Sequence, residues 1–451
     1  MTATRKKRIG LSTTQTILLS FLSLILVGSG LLSLPIAAAD GRAVPYVDAL
    51  FTATTATCVT GLVTVTTATA WSVFGQIVIL LLIQVGGLGV ITVISWLMVL
   101  MQKKLSLSDN LLLQDAFNLN TLSDLARFVK KVVLGTFIAE GVGALLYMTV
   151  LVPQFGWRGI WYALFNAVSA FCNAGMDVIG DNSLMNYATN ELMNGVTAAL
   201  IILGGLGYVV WWDLWRVLTT HKCRWRHLTL HSKMVLSATA LLLVGGTAAT
   251  LLAEHNNPAT IGAMGWWDKI QCAFFQSVTC RTAGFAAIPQ EGLTTAGATV
   301  SILLMFIGGS PVGTAGGVKT TTLVVLAVTA YCTITGRRQI GLFDRSFSSA
   351  TIRKAVAVVG MSLTVLLGST LLLALVSEAP LADVLYETTS ATATVGLTRG
   401  LTPHLNVWGK LVVITTMYFG RIGPISLVIA LGSRKEERNS VKNPTEEISV
   451  G

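Results

Sequence analysis

The stretch that decides the fold is Leu381–Gly396, LADVLYETTSATATVG. It is apolar toward its centre and rich in small residues, and it ends on a glycine. Three other stretches align with it without gaps: Tyr46–Gly61 (YVDALFTATTATCVTG), Ile160–Gly175 (IWYALFNAVSAFCNAG) and Lys269–Gly284 (KIQCAFFQSVTCRTAG). Ten residues before each glycine stands an aromatic: Phe51, Phe165, Phe274 and Tyr386. The glycines follow one another at intervals of 114, 109 and 112 residues. Gly396 is therefore one of a set of four, and a fixed period of self-similarity marks a repeat architecture.

A second set follows each first glycine after 25, 29, 24 and 24 residues. It reads Gly86-Gly-Leu-Gly89, Gly204-Gly-Leu-Gly207, Gly308-Gly-Ser-Pro311 and Gly420-Arg-Ile-Gly423. Two sets in matching order divide the chain into four units over residues 13–104, 129–219, 233–333 and 353–432, with a tail over 433–451. Each unit reads as a long apolar helix, a short segment of about 10–12 residues, the glycine stretch and a second long helix. A span needs about 20 residues, so the short segment does not cross and reads as a re-entrant pore helix.

Composition supports a membrane setting. Of 451 residues, 53% are hydrophobic and 12% charged, about half the charge usual for a soluble domain. The net charge of +10 does not point to nucleic acid, because of where it lies. Basic residues precede the first span (Arg5, Lys6, Lys7, Arg8). They recur in loops at the same phase of each unit: Lys103 and Lys104 with Arg127, Lys130 and Lys131; Arg216 to Lys233; Arg337 to Lys354. The intervening loops carry Asp177, Asp181, Glu191, Glu254, Glu291 and Glu378. By the positive-inside rule both termini are expected in the cytoplasm. The units then run parallel to one another. The expected fold is an all-α polytopic membrane protein, with four parallel M1–pore helix–M2 repeats (eight transmembrane helices) around one central ion pore. The six cysteines form no CxxC pair, and no disulfide framework or zinc site follows from them.

Glycine allows φ > 0, so successive carbonyls can turn toward one axis. A ring of such carbonyls replaces water around a cation. The candidate filter is Val59, Thr60 and Gly61; Asn173, Ala174 and Gly175; Thr282, Ala283 and Gly284; Thr394, Val395 and Gly396. The two residues before each glycine carry no charge that would trap an ion, and a potassium ion is expected to bind through the backbone carbonyls. Below it, Gly308–Gly317 holds five glycines and a proline in ten residues and cannot remain regular helix. Gly308, Gly309, Ser310, Pro311, Gly313, Thr314, Gly316 and Gly317 are the candidate gate. Arg421 joins them: it aligns with Gly87, Gly205 and Gly309, and an intramembrane charge is functional by default. It is expected to face the pore and hold the gate loop through carbonyls, with pairing to Glu140 or to a helix C-terminus as the structural alternative. Arg281 is expected to point away from the axis toward an acid such as Glu387.

The stretches ATATVGLTRGLTP, SAFCNAG, RTAGF, GGSPVGTAGG and FGRIGP closely resemble the Trk/Ktr/HKT superfamily of potassium-translocating subunits, over nearly the whole chain. The likeness is to the KtrB type, including NtpJ-like subunits. The resemblance implies K⁺ uptake down its electrochemical gradient across the bacterial cytoplasmic membrane, with Na⁺ as a candidate activator. It implies a homodimer set in membrane lipid and a cytosolic nucleotide-binding ring of the KtrA type. No nucleotide loop of the form GxxxxGK[ST] is present, so control by ATP, ADP or NAD is expected on that partner, with no cofactor in this chain. Cys58 and Cys172, three residues before their glycines, read as space-filling side chains. A membrane-embedded transferase is the weaker alternative, since the five histidines form no catalytic cluster. An alternating-access carrier is disfavoured by parallel repeats and by Glu140 being the main midplane acid.

Overall fold

The computed structural model describes residues 13–101, 125–220, 225–337 and 339–423. The basic residues Arg5–Arg8, Lys103, Lys104, Lys222, Arg224 and Arg338 and the tail over 433–451 lie outside the described residues. The first unit contributes α1 (Thr13–Leu32), α2 (Tyr46–Cys58), α3 (Val73–Leu88) and α4 (Val90–Leu100). The second contributes α5 (Leu125–Phe155), α6 (Trp157–Cys172), α7 (Glu191–Leu206) and α8 (Tyr208–Thr219). The third contributes α9 (Leu230–Glu254), α10 (Trp266–Thr279), α11 (Thr295–Phe306) and α12 (Thr320–Ile334). The fourth contributes α13 (Ser349–Val376), α14 (Leu381–Ala393) and α15 (Val407–Ile422). Strands are limited, among the described residues, to a hairpin of β1 (Gly341–Leu342) and β2 (Arg345–Ser346) between the last two units.

The helices α1, α5, α9 and α13 open the four units, and each is long and apolar enough to cross a membrane. Their outer faces expose Leu22 and Leu26, Leu145, Leu241 and Leu252, and Leu371 and Leu375. This is the apolar exterior that lipid tails require.

The pore-helix positions α2, α6, α10 and α14 run 13, 16, 14 and 13 residues, longer than the expected 10–12 but still short of a span. They are buried because each is enclosed by the other helices. Phe51, Phe165 and Tyr386 are fully buried. The third unit differs: Phe274 is exposed and Phe275 takes the buried place. The buried aromatic thus stands nine residues before its glycine there and ten in the other units, a shift that a gapless alignment conceals.

The second helices depart most from expectation. Only that of the third unit was expected to break. In the first unit, the axis turns by 94° between Val73–Leu88 and Thr92–Met98; in the second, α7 and α8 meet at 97°. The breaks fall at Gly89 (φ +86°) and Gly207 (φ +88°), and α15 ends at Gly423 with φ +89°. An L side chain is strained at such angles, so in the first, second and fourth units the last glycine of the set marks where the helix can turn or end. The first glycine of the set has a different task. A Cβ at Gly86, Gly204 or Gly420 would collide with the carbonyl of Thr57, Phe171 or Thr392, near the pore-helix C-terminus of the same unit. Small residues are what allow helices to approach so closely in a membrane.

The starts of these helices are equally regular. Ser72, Asn190, Thr294 and Asn406 cap α3, α7, α11 and α15, each accepting from the amide three residues on. Such a cap contributes about 1 kcal/mol. Polar ties cross the seams between units. Trp161 donates to Gln76 at 2.8 Å, Trp267 to Glu191 at 2.7 Å and Tyr386 to Gln290 at 2.9 Å. Lys410 meets Asp48 at 2.5 Å and joins the last unit to the first.

Candidate functional site

Three of the pore helices end directly at a candidate filter stretch, and that of the third unit, α10, ends at Thr279, three residues before Thr282. Val59, Asn173 and Thr394 cap α2, α6 and α14 in left-handed backbone, with φ 54°, 61° and 53°. Thr282 takes φ 73° at the corresponding place in the third unit. Each is followed two residues later by a glycine with positive φ: 100° at Gly61, 63° at Gly175, 83° at Gly284 and 100° at Gly396. Alternating left- and right-handed residues turn successive carbonyls to one side. Positive φ is uncommon for any non-glycine residue and costly for β-branched Val and Thr. Such strain persists only where surrounding structure enforces it.

Hydroxyl residues supply part of that enforcement. The Gly61 amide donates to Thr55 Oγ1 at 2.9 Å, the Gly396 amide to Ser390 Oγ at 2.9 Å, and the Met176 amide to Ser169 Oγ at 3.1 Å. In the third unit Thr279 Oγ1 instead donates to the Phe285 carbonyl at 2.6 Å. Thr55, Ser169 and Ser390 each stand six residues before their glycine and Thr279 five, matching the one-residue shift of the buried aromatic in the third unit. The sequence carries this signal as a buried Ser or Thr at a near-constant offset, and sequence reasoning missed it.

The four glycines meet. A Cβ on Gly61 would strike the Ala174 carbonyl, one on Gly175 the Ala283 carbonyl, one on Gly284 the Val395 carbonyl, and one on Gly396 the Thr60 carbonyl. The contacts run from the first unit through to the fourth and back to the first, so the stretches close into one ring in chain order. The pore-helix C-termini converge on it, and each carries about half a negative elementary charge, which favours a cation. On one side of the ring lies an open cavity of about 460 Å³ whose lining includes all four glycines. Its charged lining residues are Asp177, Asp181 and Glu291, with no Lys or Arg among them. Asp177 lies in the loop after the second glycine stretch, outside the spanning helices, where burial pushes its carboxyl up to about 6.

The interrupted segment Gly308–Gly317 does not line that cavity. It packs against the second glycine set of the second unit: the Ser310 amide donates to Gly205 O at 2.9 Å and the Thr314 amide to Gly204 O at 3.2 Å. The Tyr208 amide donates to Val312 O at 3.0 Å, and Thr314 Oγ1 reaches Phe171 O at 3.1 Å. At its far end the segment bonds to its own unit, Gly308 N to Val318 O and Thr320 N to Gly309 O. Gly316 and Gly317 lie against Thr394 and Ala393 of the fourth unit. Pro311 O would meet a Cβ on Gly207, and Gly313 lies close to Gly204 O. Val312, which the sequence did not single out, is held at φ 63°.

Arg421 closes this arrangement. Its Nη1 donates to Thr314 O at 2.5 Å and its Nη2 to Gly86 O at 2.5 Å, with Gly87 O at 3.4 Å. One side chain of the fourth unit therefore joins the third unit to the first, which stand opposite each other in the ring. Glu140 is not its partner. That carboxylate accepts from Gln84 Nε2 at 3.1 Å and approaches Cys172 Sγ at 3.9 Å.

Arg281 is buried behind the ring, as expected, but not against Glu387. Its Nη2 reaches Thr239 Oγ1 at 3.4 Å. Glu387 is taken by Thr398 at 2.7 Å and by Thr402. Two nearby hydroxyls satisfy that carboxylate locally, which left it without need of a distant guanidinium. Cys58 and Cys172 are buried free thiols, and no group of three or more His, Cys, Asp or Glu residues able to hold a metal occurs among the described residues.

Comparison with known proteins agrees with this geometry. A sequence model of the TrkH family, described as cation transport protein, matches residues 2–442. The chain is 39% identical over 455 residues to the potassium/sodium uptake protein NtpJ of Enterococcus hirae, covering 99% of each. It is 37% identical over 438 residues to the Ktr system potassium uptake protein B of Bacillus subtilis, covering 97% of this chain and 96% of that one. The solved structure of the potassium transporter TrkH from Vibrio parahaemolyticus superposes with a TM-score of 0.75 at 18% identity, over 95% of this chain and 86% of that one, which shows a shared fold. With a matching family across almost its full length and a ring of four repeated glycine stretches at its centre, the chain belongs to the TrkH family of cation transport proteins.

Proposed function

We propose that the chain is the translocating subunit of a bacterial potassium uptake system. K⁺ enters from the open cavity, sheds water onto the carbonyls of residues 59–61, 173–175, 282–284 and 394–396, and moves down its electrochemical gradient. The observation that carries this reading is the closed ring of four glycines, each packed on a carbonyl of the next unit. Carbonyl oxygens in such a ring replace the hydration shell of a cation. Relatives named as potassium or potassium/sodium uptake proteins support the choice of ion.

On this reading Gly308–Gly317 is the gate, and Arg421 holds it closed. The guanidinium also adds an electrostatic barrier on the inner side. The bonds of the segment to Gly204, Gly205, Phe171 and Arg421 support it, since they tie a non-helical strand of backbone across the path. Both termini lie in the cytoplasm, the assembly is a homodimer, and a cytosolic nucleotide-binding ring controls opening. The name Ktr system, borne by three relatives, is in keeping with a transporter of several components. Na⁺ acts as an activator rather than as the main cargo.

Uptake of radioactive rubidium in a strain that lacks its own potassium systems tests the transport reading. The expected result is uptake that saturates with rubidium, is inhibited by K⁺, and collapses when the membrane potential is dissipated. Absence of uptake from a well-expressed, membrane-inserted chain overturns it. Regulation is tested separately: nucleotide-dependent flux is expected only after a soluble nucleotide-binding protein is added to vesicles. Full nucleotide control by this chain alone refutes that part.

A further inference from the structure

Arg421 is not the only cation at the loop. Lys319 stands at the N-terminus of α12, immediately after the interrupted segment, and its Nζ turns back to the Ala315 carbonyl at 2.5 Å. The preceding carbonyl, that of Thr314, is the one held by Arg421 at 2.5 Å. Two consecutive carbonyls of the loop are thus taken by two cationic side chains from different units. Neither cation forms an ion pair with a carboxylate among the described residues. An uncompensated ammonium inside a membrane protein is expensive, and here it is tolerated only by donating to backbone oxygen.

These two carbonyls are chemically the same kind of ligand as those of the filter. Left free beneath the ring, they would be available to a cation leaving it. Lys319 and Arg421 fill them with charges that cannot diffuse away. Gly316 and Gly317, just beyond Ala315, lie against Thr394 and Ala393 of the ring's fourth stretch. A shift of the Ala315 peptide therefore moves the part of the loop that touches the filter stretch.

We propose that Lys319 is a positioning residue of the gate: a second latch that holds the loop across the path through the Ala315 carbonyl, independent of Arg421. The proposal rests on reading Gly308–Gly317 as the gate. Lys319 is tethered within the loop's own unit, whereas Arg421 reaches the loop from the neighbouring fourth unit. The closed loop is thus fixed at adjacent peptides from two directions. Loss of Lys319 leaves Thr314 held but frees the Ala315–Gly317 half.

The test is K⁺ flux through purified chain in proteoliposomes, without any soluble partner, for the wild type, Lys319→Met, Lys319→Arg, and a variant with residues 312–316 shortened, the last both alone and combined with Lys319→Met. A charge-assisted hydrogen bond of this kind predicts about a tenfold rise in basal flux for Lys319→Met. Lys319→Arg, which keeps charge and donor, is expected to stay near the wild type. In the shortened-loop chain Lys319→Met is expected to add nothing, and K⁺/Na⁺ preference is expected to be unchanged throughout. Lys319→Ala serves in place of Met if the latter lowers the yield of folded protein. If loop shortening raises flux but neither Lys319 substitution does, the latch is wrong and the gate reading stands. If Lys319→Met raises flux equally with and without the loop, Lys319 acts as a bare charge and the latch is again wrong. If loop shortening fails to raise flux, the gate reading falls, and the latch with it.

Discussion

Substitution of a single ring glycine, Gly396→Ala, is the most direct probe of the filter. The added Cβ would lie 2.8 Å from Gly61 Cα and 3.1 Å from Gly61 C, besides striking the Thr60 carbonyl. Ordinary contact begins near 3.4 Å, so the two strands must part by about 0.6 Å or more. The carbonyls that face the ion move with them. Alanine must also adopt φ near +100°, outside the left-handed well, at a cost of about 1–3 kcal/mol. Each 1.4 kcal/mol is a factor of about ten, so a loss of roughly 10- to 100-fold in K⁺ affinity or K⁺/Na⁺ preference is expected. Gly61→Ala should match it, because Gly61 shares the φ of 100°. Gly175 stands at φ 63°, where an L residue is least strained, so Gly175→Ala should be the mildest of the four, impaired mainly by its collision with Gly284. The assay is K⁺ flux in proteoliposomes with Na⁺ as competitor, on protein shown to be folded and inserted. Unchanged affinity and preference in all four substitutions would falsify the assignment of these glycines to a carbonyl filter.

Two further outcomes follow from the same geometry. Shortening Gly308–Gly317 and substituting Arg421→Ala should each raise flux, and the double change should yield less than the sum in free energy, because both release one closed state; strict additivity in a double-mutant cycle would mean they act separately. Asp177, whose carboxyl titrates near 6 through burial, is charged above that pH and neutral below it, so flux at low K⁺ concentration should fall as the outer pH drops through about 6. Asp177→Asn should have low flux at all pH values and lose this dependence, and a pH profile identical to the wild type would remove Asp177 from the cation path.

Much of the architecture was legible because it is written four times. The ring glycines and the segments before them repeat at a period that no single span could reveal, and the structure brings all four together. What escaped notice was of two kinds. Some features differ by small displacements: the third unit buries Phe275 where alignment pointed to Phe274, and its anchoring hydroxyl is Thr279, one residue nearer the glycine than in the other units. The breaks at Gly89 and Gly207 belong here too, since an isolated glycine in an apolar run costs only about 1 kcal/mol and is as compatible with a straight helix as with a turn. Other features depend on partners distant in the chain. Arg421 stood out as a charge among glycines, but its carbonyls lie 107 and 335 residues away. The expectation of Glu387 for Arg281 failed for a different reason: Thr398 and Thr402, 11 and 15 residues on, already occupy that carboxylate.

The place of Arg421 has a consequence for why this conduit is one polypeptide. In a pore assembled from four identical subunits, every substitution is made four times over. An arginine at this position would then bring four guanidinium groups to a single point, where mutual repulsion and crowding would forbid the bond that one of them makes here. Covalent concatenation removes that restriction. Gly87, Gly205 and Gly309 carry no side chain at three corners, and the fourth is free to carry a charge that reaches the Gly86 carbonyl of another unit. The broken symmetry allows an off-centre bolt on a nearly four-fold barrel, something a symmetric assembly has no means to encode.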